Sequence, residues 1–251
     1  ADTAAALLGT RLPPRRLQLT VGTGAQLVVR HRHLESARPA LHLFRTAEPT
    51  GSYTLGAVQN AGLALEWARR MLGCTWDEFY ALADHAPPGS ANLVFLPYLT
   101  GDRTPHLDPH ARGGWIGATL QHDRAHLARA AFEGVALSIR EALRVMPHHE
   151  GPVRLAGGGS VHPWWRQLLA DVLERPLEIH DVPSASARGA AMLAMPDLAP
   201  AEDHAPNGLV EPRPLDLADV AARFADAYHA LHGRFRTAAS PASPAPTPGA
   251  S

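Results

Sequence analysis

Two glycine turns hold the residue types in this sequence that are best suited to binding phosphate. Glycine lets a backbone approach a ligand closely, and the N–H groups of such a turn can bind phosphate oxygens without any lysine. The first turn lies between two β-rich segments and consists of Gly22, Thr23 and Gly24. The second joins an apolar segment to a helical pattern and consists of Gly157, Gly158 and Gly159. Either turn alone also fits an ordinary tight turn, and neither matches the dinucleotide pattern GxGxxG.

A carboxylate near the first residue is the candidate for proton transfer. Asp2 precedes the small residues Thr3, Ala4, Ala5 and Ala6, which favour the start of a helix. Aspartate at such a position caps the free N–H groups of a helix N-terminus. The same carboxylate could also accept a proton from a substrate hydroxyl as a general base. Composition alone does not choose between these two roles.

Several pairs of histidines suggest a metal site at first sight. His31 and His33 would share one face of a strand, but no third ligand of suitable type is nearby in the sequence. His106 and His110 are separated by Pro109, so they cannot share a helix face as a zinc-binding pair would. We therefore interpret these histidines as solvated or structural, and no metal ligand is predicted.

Composition excludes several classes of function. The 251 residues are 45% hydrophobic and 19% charged, with a formal net charge of −1, so no strong field favours nucleic acid or a membrane surface. All 23 basic residues are arginine, which excludes a Walker-type phosphate loop and lysine-based catalysis. The single cysteine, Cys74, excludes disulfides and fits a reducing cytosol. With no apolar run of about 20 residues and no visible leader, a cytoplasmic location is expected.

The first half of the sequence contains strand and helix patterns that would position these residues. Leu17–Val21 and Gln26–His31 predict a hairpin around the first glycine turn. Apolar residues at helical spacing predict helices over Gly56–Leu72 and Trp76–His85, and Asn92–Leu96 is rich in β-forming residues. The longest helix is predicted over Asp123–Met146, where Asp123 is placed to cap it and Pro147 to end it.

The second half alternates between the two kinds of element. Strands are predicted over Val153–Ala156 and Leu177–His180, and helices over Pro163–Leu173 and Ala187–Met195. A helix is also expected near Leu215–Arg234. The sequence therefore predicts a mixed α/β chain, in which strands lead into helices through glycine turns.

The predicted organisation has three parts. Residues 1–195 form the core of one domain, and residues 196–237 form a linker and a C-terminal helix of the same domain. Residues 238–251 are rich in proline, alanine and serine and cannot bury enough apolar surface to fold, so a disordered tail is predicted.

Longer stretches of the sequence resemble a known family. Residues 95–113 read FLPYLTGDRTPHLDPHARG, and residues 113–134 read GGWIGATLQHDRAHLARAAFEG. They resemble the FGGY family of carbohydrate kinases, and the first is most similar to its xylulokinase branch. Ala118 departs from the pattern, since a larger aliphatic residue is usual there. The resemblance extends over residues 1–194.

Other landmarks of that family occur in the same order. The segment Asp2–Ala6 is similar to the one that holds the catalytic aspartate, although Ala1 replaces the usual glycine. The first glycine turn is similar to the family's phosphate-binding turn, and Leu155–Gly159 is similar to its adenosine-binding segment. The segment that starts at Gly189 is similar to a helix near the end of the family's fold that begins with glycine.

The resemblance implies an actin-like, ribonuclease-H-like ATPase fold and a phosphotransferase that uses ATP and Mg²⁺. The implied reaction converts D-xylulose to D-xylulose 5-phosphate, with Asp2 as the general base. Gly22, Thr23 and Gly24 would hold the terminal phosphates, and Gly157, Gly158 and Gly159 would lie against the adenosine. Gluconate, ribulose or glycerol remain alternative substrates, and a non-catalytic remnant or a sugar- or nucleotide-sensing module is the alternative from another class.

Family members are roughly twice as long as this chain, so the resemblance implies the C-terminal half of a kinase. The expected partner is the N-terminal kinase domain, which in the family holds a magnesium-associated aspartate and most of the sugar pocket. Related kinases are often dimers, so a homodimer is compatible with the resemblance. No nucleic acid or membrane partner is expected, and the chain alone should turn over little or no sugar.

Overall fold

A computed structural model describes residues 2–195 and 205–235 of the chain. The helices are α1 (Asp2–Gly9), α2 (Gly62–Met71), α3 (Trp76–His85), α4 (Arg124–Val145), α5 (Pro163–Leu173), α6 (Ala185–Ala194) and α7 (Ala218–Leu231). The strands are β1 (Leu17–Val21), β2 (Ala25–His31), β3 (His42–Arg45), β4 (Ser52–Val58), β5 (Val94–Leu96), β6 (Gly114–Ile116), β7 (Val153–Ala156), β8 (Leu177–Ile179) and β9 (Gly208–Val210). None of these helices is long and apolar enough to cross a membrane.

The described strands form one large mixed sheet and a small two-stranded one. The large sheet has the order β3-β4-β2-β1-β7-β8-β9, and β5 pairs with β6 in the small sheet. In the large sheet β1, β7 and β8 are parallel, and the remaining neighbours are antiparallel. Thr20 is paired with Ala156, so β1 and β7 end at the same edge of the sheet. The turns that follow both strands must therefore be neighbours.

One face of the large sheet carries the main core. Leu17, Leu19 and Val21 alternate along β1 and are all fully buried, because they face the long helix α4 and its neighbours. Asp123 caps α4 by accepting hydrogen bonds from the N–H groups of Ala125 at 3.0 Å and His126 at 3.1 Å. These contacts confirm the predicted cap of α4.

The opposite face of the sheet is covered by α1 and α6. Leu7 of α1 packs on Val28 and Leu55 of the sheet. The two helices cross with their backbones in contact: a Cβ added at Gly9 would meet Ala185, and one added at Gly189 would meet Ala5. Glycine at the crossing is thus what allows α1 and α6 to approach each other so closely.

The predicted helix over Gly56–Leu72 is wrong in its first part. Residues up to Val58 belong to β4, where Leu55 and Ala57 pair with β2, and α2 begins only at Gly62. The run Ala57-Ala61-Leu65 has helical spacing by coincidence, and pairing with β2 decides the conformation of its first residue. The other predicted helices and strands are found within a few residues of their expected bounds.

The region expected to be a linker is more ordered than predicted in its second part. Gly208–Val210 adds an antiparallel edge strand to β8, and the expected C-terminal helix is present as α7. Val220 and Phe224 of α7 are buried in the main core. Residues 196–204 and the predicted tail, residues 238–251, lie outside the described residues.

Candidate functional site

The two predicted glycine turns lie side by side at the ends of β1 and β7, and each lines a cavity. The hairpin cavity, of about 450 Å³, is lined by Gly22, Thr23, Gly24 and the end of β4. The strand-end cavity, of about 420 Å³, is lined by Gly157, Gly158 and the ends of β7 and β8. Thr20 lines both cavities, so the two cavities share one residue of their walls.

The hairpin turn is held by the start of α2 through its carbonyl oxygens. Gly22 accepts a hydrogen bond from the N–H of Gly62 at 3.0 Å, and Thr23 accepts one from Ala61 at 3.1 Å. The N–H groups of Thr23 and Gly24 donate to no acceptor among the described residues. The turn that lines this cavity therefore contains two amide donors without an acceptor among the described residues and one exposed threonine, Thr23.

Only some of the glycines in the two turns are required by packing. Gly157 has φ of +98°, and a Cβ there would meet the carbonyl oxygen of Val21. A Cβ at Gly159 would lie 3.0 Å from that same oxygen. By contrast, a Cβ at Gly158 would have no atom within 4 Å, and at Gly22 the nearest atom would be 3.9 Å away. The backbone at Gly22 and Gly158 is therefore bare towards open space, as a surface that accepts a ligand would be.

Two polar side chains, those of Gln18 and His180, line the strand-end cavity. Gln18 donates from Nε2 to the hydroxyl of Thr20 at 3.2 Å, while its buried Oε1 has no hydrogen-bond partner among the described residues. A buried oxygen without a partner is costly, so this acceptor is suited to an N–H or O–H group of a ligand. His180 is almost fully buried on the same wall, and burial and then the charge of Arg154 lower its pKa. The imidazole is therefore predominantly neutral at neutral pH.

The structure adds one residue to the site that the sequence reasoning had not singled out. Arg103 lines the hairpin cavity beside Gly22, Thr23 and Gly24. Arg103 belongs to residues 101–106, which read GDRTPH and are called the GDRTPH block. The loop formed by this block folds back against the end of β4, where Thr104 donates its N–H to the carbonyl oxygen of Ala57 at 3.1 Å. Similarity to a family had marked this block, but nothing in its residue pattern indicates that the loop reaches the glycine turn.

Asp2 is not brought into either cavity. It is the exposed first residue of α1, and its carboxylate accepts a hydrogen bond from the N–H of Thr3 at 2.8 Å. Its charge, together with burial as the larger cause, raises the pKa of Tyr53 on β4. Ala4, half a turn further along α1, packs against the same apolar cluster as Ala57, which lines the hairpin cavity. Asp2 thus begins the helix that lies beside the hairpin cavity.

One histidine of each candidate pair has structural contacts in this fold. His31 is hydrogen-bonded to the hydroxyl of Thr54 at 2.9 Å, and His106 pairs with Glu141 at 3.2 Å and stacks on Tyr228. Within residues 2–195 and 205–235, no group of three or more histidine, cysteine or acidic side chains is arranged to hold a metal ion.

This fold is that of a class of ATPases. The chain superimposes on the ligand-bound xylulose kinase from Lactobacillus acidophilus with a TM-score of 0.81 and 25% identity, covering 92% of this chain and 50% of that one. Its mixed sheet with helices on both faces is the actin-like ATPase fold of the FGGY sugar kinases, which confirms the predicted fold class. The family model of the "FGGY family of carbohydrate kinases, C-terminal domain" matches residues 17–197. The chain belongs to this family.

Sequence relatives carry kinase names as well. The xylulose kinase of Escherichia coli (strain K12) is 34% identical over 203 residues, which cover 77% of this chain and 41% of that protein. The gluconokinase of Bacillus subtilis (strain 168) is 30% identical over 156 residues, which cover 56% of this chain and 30% of that protein. The chain thus spans less than half the length of these curated relatives.

Proposed function

We propose that this chain is the nucleotide-binding half of an ATP-dependent carbohydrate kinase that converts D-xylulose to D-xylulose 5-phosphate. One observation carries the nucleotide assignment: two glycine turns, bare at Gly22 and Gly158, lie at neighbouring strand ends on either side of Thr20. A triphosphate and its adenosine need two such surfaces within one molecule's reach. Membership of the FGGY family supports ATP as the donor.

The nucleotide would lie with its terminal phosphates in the hairpin cavity. The amides of Thr23 and Gly24 and the hydroxyl of Thr23 would donate to phosphate oxygens, which neutralises charge with fixed dipoles where other kinases use lysine. The adenosine would lie against Gly157, Gly158 and Gly159. When bound with the nucleotide, Mg²⁺ would neutralise phosphate charge, and its protein ligands would come from residues outside this chain.

In the proposed phosphoryl transfer, Asp2 would act as the general base. The substrate hydroxyl oxygen would attack the γ-phosphorus, the bond from that phosphorus to the β–γ bridging oxygen would break, and ADP would leave. The hydroxyl proton would pass to the carboxylate of Asp2. The base in this step need not be strong, because proton transfer can accompany departure of the phosphoryl group in a loose transition state. Asp2 would reach the sugar only when the remaining part of the kinase closes over the cavity.

Xylulose is favoured over other substrates by the relatives that carry this name and by the GDRTPH block. The match to a gluconokinase makes gluconate the second candidate. Most of the sugar pocket would belong to the N-terminal kinase domain, which we propose as the partner of this chain. The chain alone should therefore bind nucleotide weakly and turn over little sugar.

A substrate panel tests this function. The chain would be fused to the N-terminal part of the Escherichia coli xylulose kinase that the match does not cover. ADP release would then be measured with D-xylulose, D-ribulose, D-gluconate and glycerol. We expect release with D-xylulose, loss of that release in Asp2→Asn, and little or none from the chain without its partner.

A different preferred sugar would overturn the xylulose assignment alone. A fusion that folds and binds ATP but phosphorylates none of the four would favour a non-catalytic module. Robust xylulose-dependent ADP release from the isolated chain would contradict the need for the partner domain.

A further inference from the structure

The loop that carries Arg103 is fixed to the end of β4 by several hydrogen bonds. The hydroxyl of Thr104 accepts from the N–H of Ala57 at 3.0 Å and donates to the carbonyl oxygen of Ala40 at 2.7 Å. The side chain of Asn60 donates to the carbonyl oxygen of Gly101 at 2.8 Å. These contacts on both sides of Arg103 hold its backbone in place beside the hairpin turn.

Within this loop Arg103 differs from its neighbours. Gly101, Asp102 and Thr104 are buried, and the carboxylate of Asp102 accepts a hydrogen bond from the N–H of His106 at 3.0 Å. Arg103 is exposed, and its guanidinium makes no hydrogen bond or ion pair with any described residue. A tightly bonded loop thus presents one unpaired cation to the hairpin cavity.

We propose that Arg103 binds the terminal phosphate oxygens of the nucleotide in the hairpin cavity. This inference rests on the proposed function, because it names a further group for the same site. The turn itself supplies only neutral donors, whereas a triphosphate carries several negative charges. A guanidinium donates two parallel hydrogen bonds to a phosphate, and such charge-assisted bonds are about twice as strong as neutral ones. Arg103 therefore supplies the positive charge that this lysine-free turn lacks.

A solvated surface arginine is the simpler explanation, and the two differ in what they predict. A solvated side chain acts only through the screened general field of the protein, so its loss should weaken ATP binding little, and about as much as the loss of another exposed arginine. A guanidinium bound to phosphate supplies charge-assisted hydrogen bonds that another exposed arginine does not supply. Comparison of Arg103 with a second exposed arginine, for ATP and for adenosine, therefore separates the two explanations.

The test uses three variants of the full chain: Arg103→Gln, Arg103→Lys and, as a matched control, Arg144→Gln. Arg144 is exposed near the end of α4 and lines neither cavity. Dissociation constants for ATP and adenosine would be measured by calorimetry at low salt. We expect Arg103→Gln to weaken ATP binding about tenfold or more, since the loss of one charge-assisted bond has that size. Adenosine binding should change by less than about twofold.

The two control variants make the result specific. Arg103→Lys keeps the charge but loses the planar guanidinium group with its two parallel donors. Its affinity for ATP should therefore fall between those of the parent and Arg103→Gln. Arg144→Gln should match the parent for both ligands. Equal ATP affinity in Arg103→Gln and the parent, or an equal loss for ATP and adenosine, overturns the role of Arg103 alone. A parent chain that binds neither ligand overturns the proposed nucleotide site itself, and the role of Arg103 with it.

Discussion

Glycine has different tasks in two regions of this molecule: the crossing of α1 and α6, and the rims of the two cavities. At the crossing, a Cβ on Gly189 would meet backbone atoms of Ala5 and Gly9. At the rims, a Cβ on Gly22 or Gly158 would point into open space. The fold needs the first kind of glycine for packing, whereas nothing within the described residues needs a bare backbone at the second. A ligand is the reason we propose for the second kind.

The helix crossing should be the most sensitive of these positions. Gly189→Ala adds a methyl group against the backbone of α1, which must move away, so we expect a loss of about 2–3 kcal/mol in the free energy of unfolding. Chemical denaturation measures this loss. Helix propensity alone predicts the opposite change in the free energy of unfolding, because it favours alanine over glycine by about 1 kcal/mol.

The control for this prediction is the next residue. Ala190 is exposed on α6, so Ala190→Gly should follow propensity and cost about 1 kcal/mol. If Gly189→Ala proved as stable as the parent or more so, the close approach of α1 and α6 would be wrong.

Gly157 and Gly158 are adjacent in sequence and should respond in opposite ways. Gly157→Ala places a methyl group against Val21 at a positive φ, which should cost about 1–3 kcal/mol of stability. Gly158→Val should leave stability within about 0.5 kcal/mol, because a Cβ at this exposed position has no atom within 4 Å. It should nevertheless weaken adenosine binding about tenfold, since the branched side chain occupies the surface that the ligand needs. Equal adenosine affinity in Gly158→Val and the parent would show that adenosine does not bind at this turn.

A substitution at Gly22 should affect phosphate binding and leave adenosine binding unchanged. Gly22→Ala is expected to change stability by less than about 0.5 kcal/mol and to weaken ATP binding severalfold, with adenosine binding unchanged. Gly24→Ala is the paired variant: its Cβ would lie 2.6 Å from the carbonyl oxygen of Val58, so it should lose stability instead. A loss of adenosine binding in Gly22→Ala would contradict the separate placement of the two parts of the nucleotide.

The smallest expected effect concerns pH and the wall of the strand-end cavity. Burial, and then the charge of Arg154, lowers the pKa of His180 below the usual histidine value of 6.5. Near and below that pH the unfolded chain therefore binds a proton that the folded chain does not. The free energy of unfolding should therefore fall as pH decreases from 7 to 5. In His180→Gln this decrease should be shallower, as denaturation at several pH values would measure.

Two other histidines should keep part of this pH dependence in the variant. His31 and His149 have pKa values lowered chiefly by burial, so part of the slope of unfolding free energy against pH should remain. An identical slope in the variant and the parent would contradict the neutral, buried state of His180.

Local patterns were sufficient for the elements that carry their own signals. The hairpin of β1 and β2 has two β-rich runs around a glycine turn, and α4 has long apolar periodicity between Asp123 and Pro147. Both are found as predicted. The adjacency of the two glycine turns could not be read in this way, because it depends on the pairing of Thr20 with Ala156 across more than half of the chain.

Elements whose conformation depends on partners were missed or misassigned. The end of β4 was predicted as helix because its apolar spacing is ambiguous, and only pairing with β2 decides its conformation. Gly208–Val210 has too few residues to give a strand pattern, and it is a strand because β8 offers an unpaired edge. Arg103 was missed for a related reason: its exposure and its position beside Thr23 come from a loop folded onto β4.

The central claim is that the two glycine turns bind one nucleotide, and amide chemical shifts test it most directly. The chain labelled with ¹⁵N would be titrated with ATP and, separately, with adenosine. The account predicts that ATP shifts the amides of both turns, Thr23 and Gly24 as well as Gly158 and Gly159, whereas adenosine shifts only the second pair. Saturable ATP binding that leaves either pair of amides unshifted would contradict it.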